Sequence, residues 1–445
     1  MNVAVVGCGY VGLVSGVGLA SLGHRVVGID TDPDRVAALE RGTAPFREPG
    51  LDKLLSGTLA SGSFRVSSSM AETATAEVIL LCVQTPPRPD GEVELDFLRQ
   101  AAERLRAELD RDVGRRRVVA VRSTVPPGTN EGVVAPVLAA EGSTAVASNP
   151  EFLREGSALE DFLHADRVVV GAREDWAVEL LARLYGPLDA PLVVTTPATA
   201  ELAKYTSNAL LATLVSFSNE IASLCEATPG VDVEDVLAIV HRDRRLSVDT
   251  AGERRPAGIV SYLRAGCGYG GSCLPKDLSA LIAYGRAADE SVALLEAVAS
   301  VNRGRAERLV RLAEGALGNI EGRRIAVLGA AFKDGTDDLR DSPGLRIVQE
   351  LLDRGAKVVV FDPLVGRERL VTAFPSVEVA TSLAEAARSA DACLITTRAP
   401  EFADLERLVA ELDGDAPVIV DGRRALDPTH FRSGGYLAVG RQADQ

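Results

Sequence analysis

Apolar positions in the first third of the chain fall into short runs set between longer stretches of helical periodicity. Asn2–Gly7, Arg25–Asp30, Val78–Val83, Val118–Thr124 and Ala145–Ser148 have the length and character of strands, and Tyr10–Leu22 reads as a helix of small residues. Strands separated by helices require right-handed crossovers, which build a parallel, doubly wound sheet. The middle of the chain differs. No Gly or Pro interrupts the helical pattern from Thr199 to Glu226, and Asp277–Leu317 is also mostly helical. Arg324–Phe332 then opens a new strand–turn–helix unit, followed by apolar runs at Lys357–Phe361, Asp391–Thr397 and Val418–Asp421. The expected order is α/β, helical, α/β. The two α/β parts show no obvious sequence repeat.

A length of 445 residues exceeds one ordinary core and fits two or three domains. The 46% hydrophobic and 25% charged content is that of a folded, soluble protein. A formal net charge of -15 opposes a broad nucleic-acid or acidic-membrane surface, because both need a basic field. It leaves room for an anionic small ligand held by a few cations inside a cleft. Cys8, Cys82, Cys225, Cys267, Cys273 and Cys393 form no C-x-x-C pair, and the chain opens on MNVAVVG without a basic or long apolar leader. Free thiols in a reducing cytoplasm are expected, and no run has the length of a membrane span.

Gly7-Cys8-Gly9-Tyr10-Val11-Gly12 fits G-x-G-x-x-G between a strand and a helix. Gly7 permits the tight turn, Gly9 lets the backbone approach a pyrophosphate, and Gly12 lets the helix pack close to the sheet. The helix N-terminus supplies N–H groups to the phosphate oxygens. Asp30 ends the second strand, where a carboxylate accepts from ribose hydroxyls and repels a 2′-phosphate, so NAD is expected rather than NADP. Arg35 either stacks near the adenine or is a solvated helix residue.

Three further segments carry unusual chemistry. Ser123-Thr124-Val125-Pro126-Pro127-Gly128-Thr129 and Asn149-Pro150-Glu151-Phe152-Leu153-Arg154-Glu155-Gly156 each follow a strand, where doubly wound folds place ligands. Gly268-Tyr269-Gly270-Gly271-Ser272-Cys273-Leu274-Pro275-Lys276-Asp277 presents one thiol in a loop whose glycines admit a ligand. Lys204 and Asn208 lie four apart, on one face of the long helix.

With GCGYVGL, VQTPP, AELAKYTSN, AAFKDGTDDLRDSP and VDGRR in the same order, the chain resembles the UDP-glucose/GDP-mannose dehydrogenase family along nearly its whole length. That resemblance implies two Rossmann-like doubly wound domains, at 1–197 for NAD and 318–445 for the nucleotide sugar. Between them it implies a central helical dimerisation domain at 198–317. It implies a four-electron oxidation of a sugar C6 alcohol to a carboxylate, with Cys273 forming first a thiohemiacetal and then a thioester. UDP-glucose is the leading substrate, ahead of GDP-mannose or dTDP-glucose, and no metal is involved.

By the same resemblance Lys204 and Asn208 stabilise the oxyanion. Glu151 is the base for hydrolysis, and Thr124 and Asp277 help to hold the water. Tyr10, Val11, Thr85, Pro86, Thr124, Glu155, Lys276 and Arg340 join Gly7, Gly9, Gly12, Asp30 and Arg35 on the cofactor side. Phe152, Leu153, Arg245, Tyr262, Leu263, Arg264, Gly270, Phe332, Lys333 and Arg424 join Glu151, Lys204 and Asn208 on the substrate side. The spacing of Glu151 and Glu155 suits one helical face, and either could instead be a helix N-terminal charge. The connection Ser247–Val260 is longer than expected, which puts Arg245 in doubt. Two other readings stand beside this one. A two-electron hydroxy-acid dehydrogenase has no need of a thiol at Cys273, and a non-enzymatic NAD sensor has no need of Lys204, Asn208, Cys273 and Asp277 together. The long helix is expected to bury a face in a homodimer or higher assembly.

Overall fold

A computed structural model describes residues 1–110, 114–138, 143–250, 252–412, 416–431 and 435–442. It divides into two compact units, Met1–Ser207 with Ala283–Asp289, and Asn208–Ile282 with Glu290–Gln445.

The first unit is built on β1 (Asn2–Val6), β2 (Arg25–Ile29), β3 (Phe64–Ser67), β4 (Val78–Leu81), β5 (Arg117–Val121), β6 (Thr144–Ser148), β7 (Val168–Gly171) and β8 (Leu192–Thr195). Their order in the sheet is β3-β2-β1-β4-β5-β6-β7-β8. Pairing is parallel throughout except between β6 and β7. Alternate residues of one strand feed different cores. Val3, Val5, Val78, Leu80, Val118 and Ala120 pack on one face, and Ala4, Val6, Ile79, Leu81, Val119 and Val121 on the other. Both faces are therefore covered, as a parallel sheet requires. The order reverses between β1 and β4, so the crevice for a ligand lies beyond the carboxyl ends of these strands.

The second unit carries β11 (Arg324–Leu328), β12 (Lys357–Phe361), β13 (Glu378–Val379), β14 (Ala392–Ile395), β15 (Val418–Asp421) and β16 (Tyr436–Ala438), preceded by a hairpin of β9 (Ser247–Thr250) and β10 (Glu253–Pro256). The six-stranded order β13-β12-β11-β14-β15-β16 repeats that of the first six strands of the chain. The doubly wound architecture thus recurs without a legible sequence repeat. The long connection after Arg245 is the exposed hairpin, with β9 and β10 paired antiparallel.

Helix Pro197–Glu226 is 30 residues long, and Leu274–Ala287, Ala293–Arg303 and Arg305–Leu317 account for the other helical stretch. β6, β12 and β15 end where their apolar runs do, and other strands end earlier. Gly7, Asp30, Val83, Thr124 and Thr397 lie in the loops beyond their strands, where polar groups leave the ladder. The strands β3, β7 and β8 were not expected; β3 and β8 are sheet edges in which Phe64 alone is buried, whereas β7 is buried throughout. Among the described residues no helix is long and apolar enough to cross a membrane.

Candidate active site

Gly7 has φ +94°, and a Cβ there would meet Cys82 O at 2.6 Å. A Cβ on Gly12 would lie 1.9 Å from Gly7 O, whereas at Gly9 nothing lies within 4 Å. The turn is thus closed on the sheet side and open above Gly9, the arrangement a pyrophosphate needs at a helix N-terminus. Asp30 is buried at the end of β2. The Cys8 N–H donates to its Oδ2 at 2.8 Å and the Asp32 N–H to its Oδ1 at 3.0 Å. Arg35 is not left to solvent, because its Nη1 donates to Asp30 Oδ2 at 3.0 Å. Two carboxylate oxygens carry about four acceptor positions, so three donors leave one for a ribose hydroxyl.

The neighbouring loops are tied to one another. Thr85 Oγ1 donates to Thr124 O at 3.0 Å and Ser123 Oγ to Val83 O at 2.6 Å, joining the loops after β4 and β5. The Tyr10 hydroxyl donates to buried Glu48. The Gly156 N–H reaches both Tyr10 Oη at 3.0 Å and Glu48 Oε2 at 2.9 Å, so the glycine-rich turn is linked to the loop that holds Glu151 and Glu155.

That loop is not helical. Residues 151–157 form extended and turn structure, and the helix begins only at Ala158. Pro150 disfavours helix in the residue before it, Gly156 has φ +82°, and Glu151 Oε2 accepts the Leu153 N–H at 2.5 Å. Glu151 and Glu155 therefore share no helical face, and neither is a helix N-terminal charge. Glu151 Oε1 instead lies 3.1 Å from Lys204 Nζ, with both side chains buried. The Lys204 ammonium also sits 5.4 Å from the centre of the Phe152 ring, which Arg167 approaches at 4.0 Å. One turn earlier on the same helix, Glu201 is buried as well. It accepts from Gly128 N at 2.6 Å, Asn130 N at 2.8 Å and Ser148 Oγ at 3.2 Å. Burial pushes its carboxyl up to about 7 against these hydrogen bonds. Sequence reasoning missed Glu201, although its i, i+3 spacing from Lys204 was visible, and missed Glu48, for which no local pattern exists.

In the second unit Cys273 is exposed and none of the six cysteines is in a disulfide. Burial pushes the thiols of Cys82 and Cys393 up to about 12 and raises those of Cys8 and Cys267. Cys273 stands at the start of helix Leu274–Ala287, its carbonyl accepting the Asp277 N–H at 2.8 Å. Asp277 is buried, accepting from Asn208 Nδ2 at 2.6 Å and from Lys276 Nζ at 2.5 Å. The glycine loop packs closely on β11's following segment. The Gly271 N–H donates to Arg340 O at 3.0 Å, and a Cβ on Gly270 or Gly271 would strike Asp341 or Phe332. The Arg340 side chain is directed to Asp338, with Nη2 at 2.6 Å.

The remaining candidates of this unit divide by exposure. Lys333 Nζ lies 5.9 Å from the Phe332 ring centre. Arg424 has φ +52°; its Nη2 donates to Asp232 at 2.6 Å, while its Nη1 is buried without a hydrogen-bond partner. It lines a cavity of about 470 Å³ with Asp334, Gly335, Arg398 and Pro400. Leu263 is buried, Tyr262 half-buried and Arg264 exposed. Arg245 is largely exposed and paired with Asp243.

Models of one family match three successive segments: its NAD-binding domain at residues 1–189, its central domain at 198–304 and its UDP-binding domain at 326–428. The chain belongs to the UDP-glucose/GDP-mannose dehydrogenase family. It is 37% identical to the UDP-glucose 6-dehydrogenase YwqF of Bacillus subtilis (strain 168), over 100% of this chain and 98% of that one. Among solved structures, a UDP-glucose dehydrogenase from Pyrobaculum islandicum superposes with a TM-score of 0.87 at 38% identity, covering 99% of this chain and 98% of the other. A UDP-D-ManNAc dehydrogenase from Pyrococcus horikoshii gives 0.85 at 28% identity, covering both chains in full. As a UDP-glucose/GDP-mannose dehydrogenase family member, the protein is an oxidoreductase with NAD as its cofactor and a nucleotide sugar as its partner, and the turn at Gly7–Gly12 with Asp30 fits that cofactor.

Proposed function

We propose that the protein oxidises the C6 alcohol of UDP-glucose to the carboxylate of UDP-glucuronate, with two NAD and one water consumed for each sugar. The observation that carries this reading is the exposed thiol of Cys273 at the start of a helix whose next turn holds Asn208 through Asp277. A two-electron dehydrogenase has no use for such a nucleophile.

NAD, which Gly7, Gly9, Gly12 and Asp30 would hold, would supply the hydride acceptor that each of the two oxidations needs. Cys273 adds through sulfur to the C6 aldehyde, giving a thiohemiacetal, and the second oxidation leaves a thioester. Water then forms the new C–O bond as the C–S bond breaks, and the sulfur returns to the enzyme. The positive end of helix Leu274–Ala287 favours anionic sulfur at Cys273. Lys204 and Asn208 stabilise the oxyanion at C6. Glu151 takes the proton of the attacking water, with Thr124 and Asp277 orienting it. Lys204 Nζ, 3.1 Å from Glu151 Oε1, fixes where that carboxylate sits.

Gly7, Gly9, Tyr10, Val11, Gly12, Asp30, Arg35, Thr85, Pro86, Glu155, Lys276 and Arg340 serve the cofactor in this scheme. Phe152, Leu153, Arg245, Tyr262, Leu263, Arg264, Gly270, Phe332, Lys333 and Arg424 serve the nucleotide sugar, Arg424 through its buried, unpartnered Nη1. The functional domains are assigned to 1–197, 198–317 and 318–445, and two copies associate through the central one. GDP-mannose, dTDP-glucose and UDP-N-acetyl sugars are the competing substrates.

An NADH count decides the reaction. Two NADH per UDP-glucose are expected in an end-point assay. A ratio of one sinks the four-electron scheme, and activity only with another nucleotide sugar in a rate panel moves the substrate.

A further inference from the structure

We infer that Glu201 is a positioning residue, whose ionised carboxylate holds the Thr124 loop in register with Lys204. The inference rests on the roles proposed above for Thr124 and Lys204.

Gly128 N and Asn130 N sit on the loop that follows Thr124, and Ser148 Oγ ends β6, directly before Asn149-Pro150-Glu151. Oε2 accepts from the first, and Oε1 from the other two. Both backbone groups donate and neither can accept, so only a group with two acceptor oxygens satisfies them. Lys204 follows three residues later on the same helix and pairs with Glu151. The opening turns of helix Pro197–Glu226 thus grip the loop after β5 through Glu201 and the loop after β6 through Lys204. The loop's own bonds run from the Thr129 N–H to Pro126 O at 3.1 Å and from the Gly132 N–H to Gly128 O at 2.8 Å, before the π-helical turn Asn130–Val134, and they leave the N–H groups of Gly128 and Asn130 to Glu201.

Protonation or an amide would turn one oxygen position into a donor facing an N–H. A buried donor left unsatisfied is costly. Burial favours the neutral acid, with Glu131 on the adjoining turn adding repulsion, and the hydrogen bonds favour the anion; the balance falls at about 7. Glu131 is itself paired with Arg173. The signs of the two pH effects are opposite. Because the folded value lies above the ordinary 4.5, the group's contribution to stability is fully present below about 4.5 and lost as pH rises through about 7. Loop order and turnover rise over that same window.

The test is Glu201→Gln and Glu201→Asp in the full chain, read by amide hydrogen exchange of residues 124–130 and by steady-state kinetics. Expected for Glu201→Gln is exchange faster by about tenfold or more in that segment. Its kcat should fall by a similar factor, with the KM for the nucleotide sugar changed less than about twofold. The acidic limb expected near pH 7 in the parent should also disappear. Glu201→Asp, which keeps both acceptor oxygens, should recover part of the protection. Unchanged exchange in Glu201→Gln overturns the inference whatever the kinetics do. Should that variant fail to fold, the parent decides, after correction for intrinsic rates. Weaker protection of 124–130 at pH 6 than at pH 8 supports the inference, and equal protection overturns it. Exchange needs no turnover, so a wrong substrate assignment would show separately, as a parent without activity on UDP-glucose.

Discussion

Of six cysteines, one is exposed. Cys8, Cys225, Cys267 and Cys393 are buried and behave as small apolar residues, and Cys273 is the exposed one. Its neighbours set its environment: Ser272 Oγ lies 3.4 Å from the sulfur, and Asp277, one turn on, ties the helix to Asn208. Replacing Cys273 with Ala removes the proposed nucleophile and retains the backbone carbonyl that accepts from the Asp277 N–H. NADH release with acid formation should fall by at least about a thousandfold, while NAD affinity changes less than about twofold by fluorescence titration. Loss of the folded state or of NAD binding would make Cys273 a packing residue. The loop residue Glu151 and the helix residue Lys204 are read differently at this scale. They form a buried ion pair, and breaking one partner of such a pair costs about 3–5 kcal/mol, so variants there lose stability along with activity. Cys273→Ala is the cleaner probe of chemistry for that reason.

The glycine-rich turn with Asp30 is an element whose parts were readable in advance, because each does a local job. Gly7 needs its positive φ, Gly12 has no room for a Cβ, and Asp30 follows the next strand. The partnership of Asp30 with Arg35 was not readable, since it depends on where helix Pro33–Glu40 sets down. Replacing Asp30 with Ser should weaken NAD and relieve the repulsion of a 2′-phosphate. The ratio of kcat/KM for NAD over NADP is expected to fall by about tenfold or more; an unchanged ratio would place cofactor choice elsewhere. Legibility elsewhere followed the same division. Most central strands and the long helix were plain from composition, because burial on both faces leaves an uninterrupted apolar run, although the buried strand β7 was missed. Edge strands, the hairpin after Arg245 and the non-helical course of Glu151–Gly156 were not plain. Their shapes come from partners far along the chain or from a single turn residue. Lys204 and Glu151 carried motif signals, but the ion pair joining residues 53 positions apart is a product of the fold.

For the molecule as a whole, the unanswered exposure is that of helix Pro197–Glu226. Leu210, Phe217 and Leu224 recur every seven residues, on one side of the helix, and stand 50%, 51% and 62% exposed. Seven residues are two turns, so the three form a stripe rather than a scatter. A second copy of the chain is the occupant we expect, and a two-fold axis counts every such contact twice. Burying a half-exposed Leu or Phe contributes roughly 1 kcal/mol, so the stripe supplies several kcal/mol per dimer. The charge of -15 on each copy works against it. Added salt screens that repulsion over about 10 Å at 0.1 M and leaves apolar contact untouched, so the dimer should tighten as ionic strength rises. Phe217→Glu loses two apolar contacts and adds two like charges, which should weaken association by about a hundredfold or more. Sedimentation velocity across a concentration series checks both points. A monomer at micromolar concentration in the parent, or a dimer indifferent to Phe217→Glu, would mean that the stripe serves some other contact.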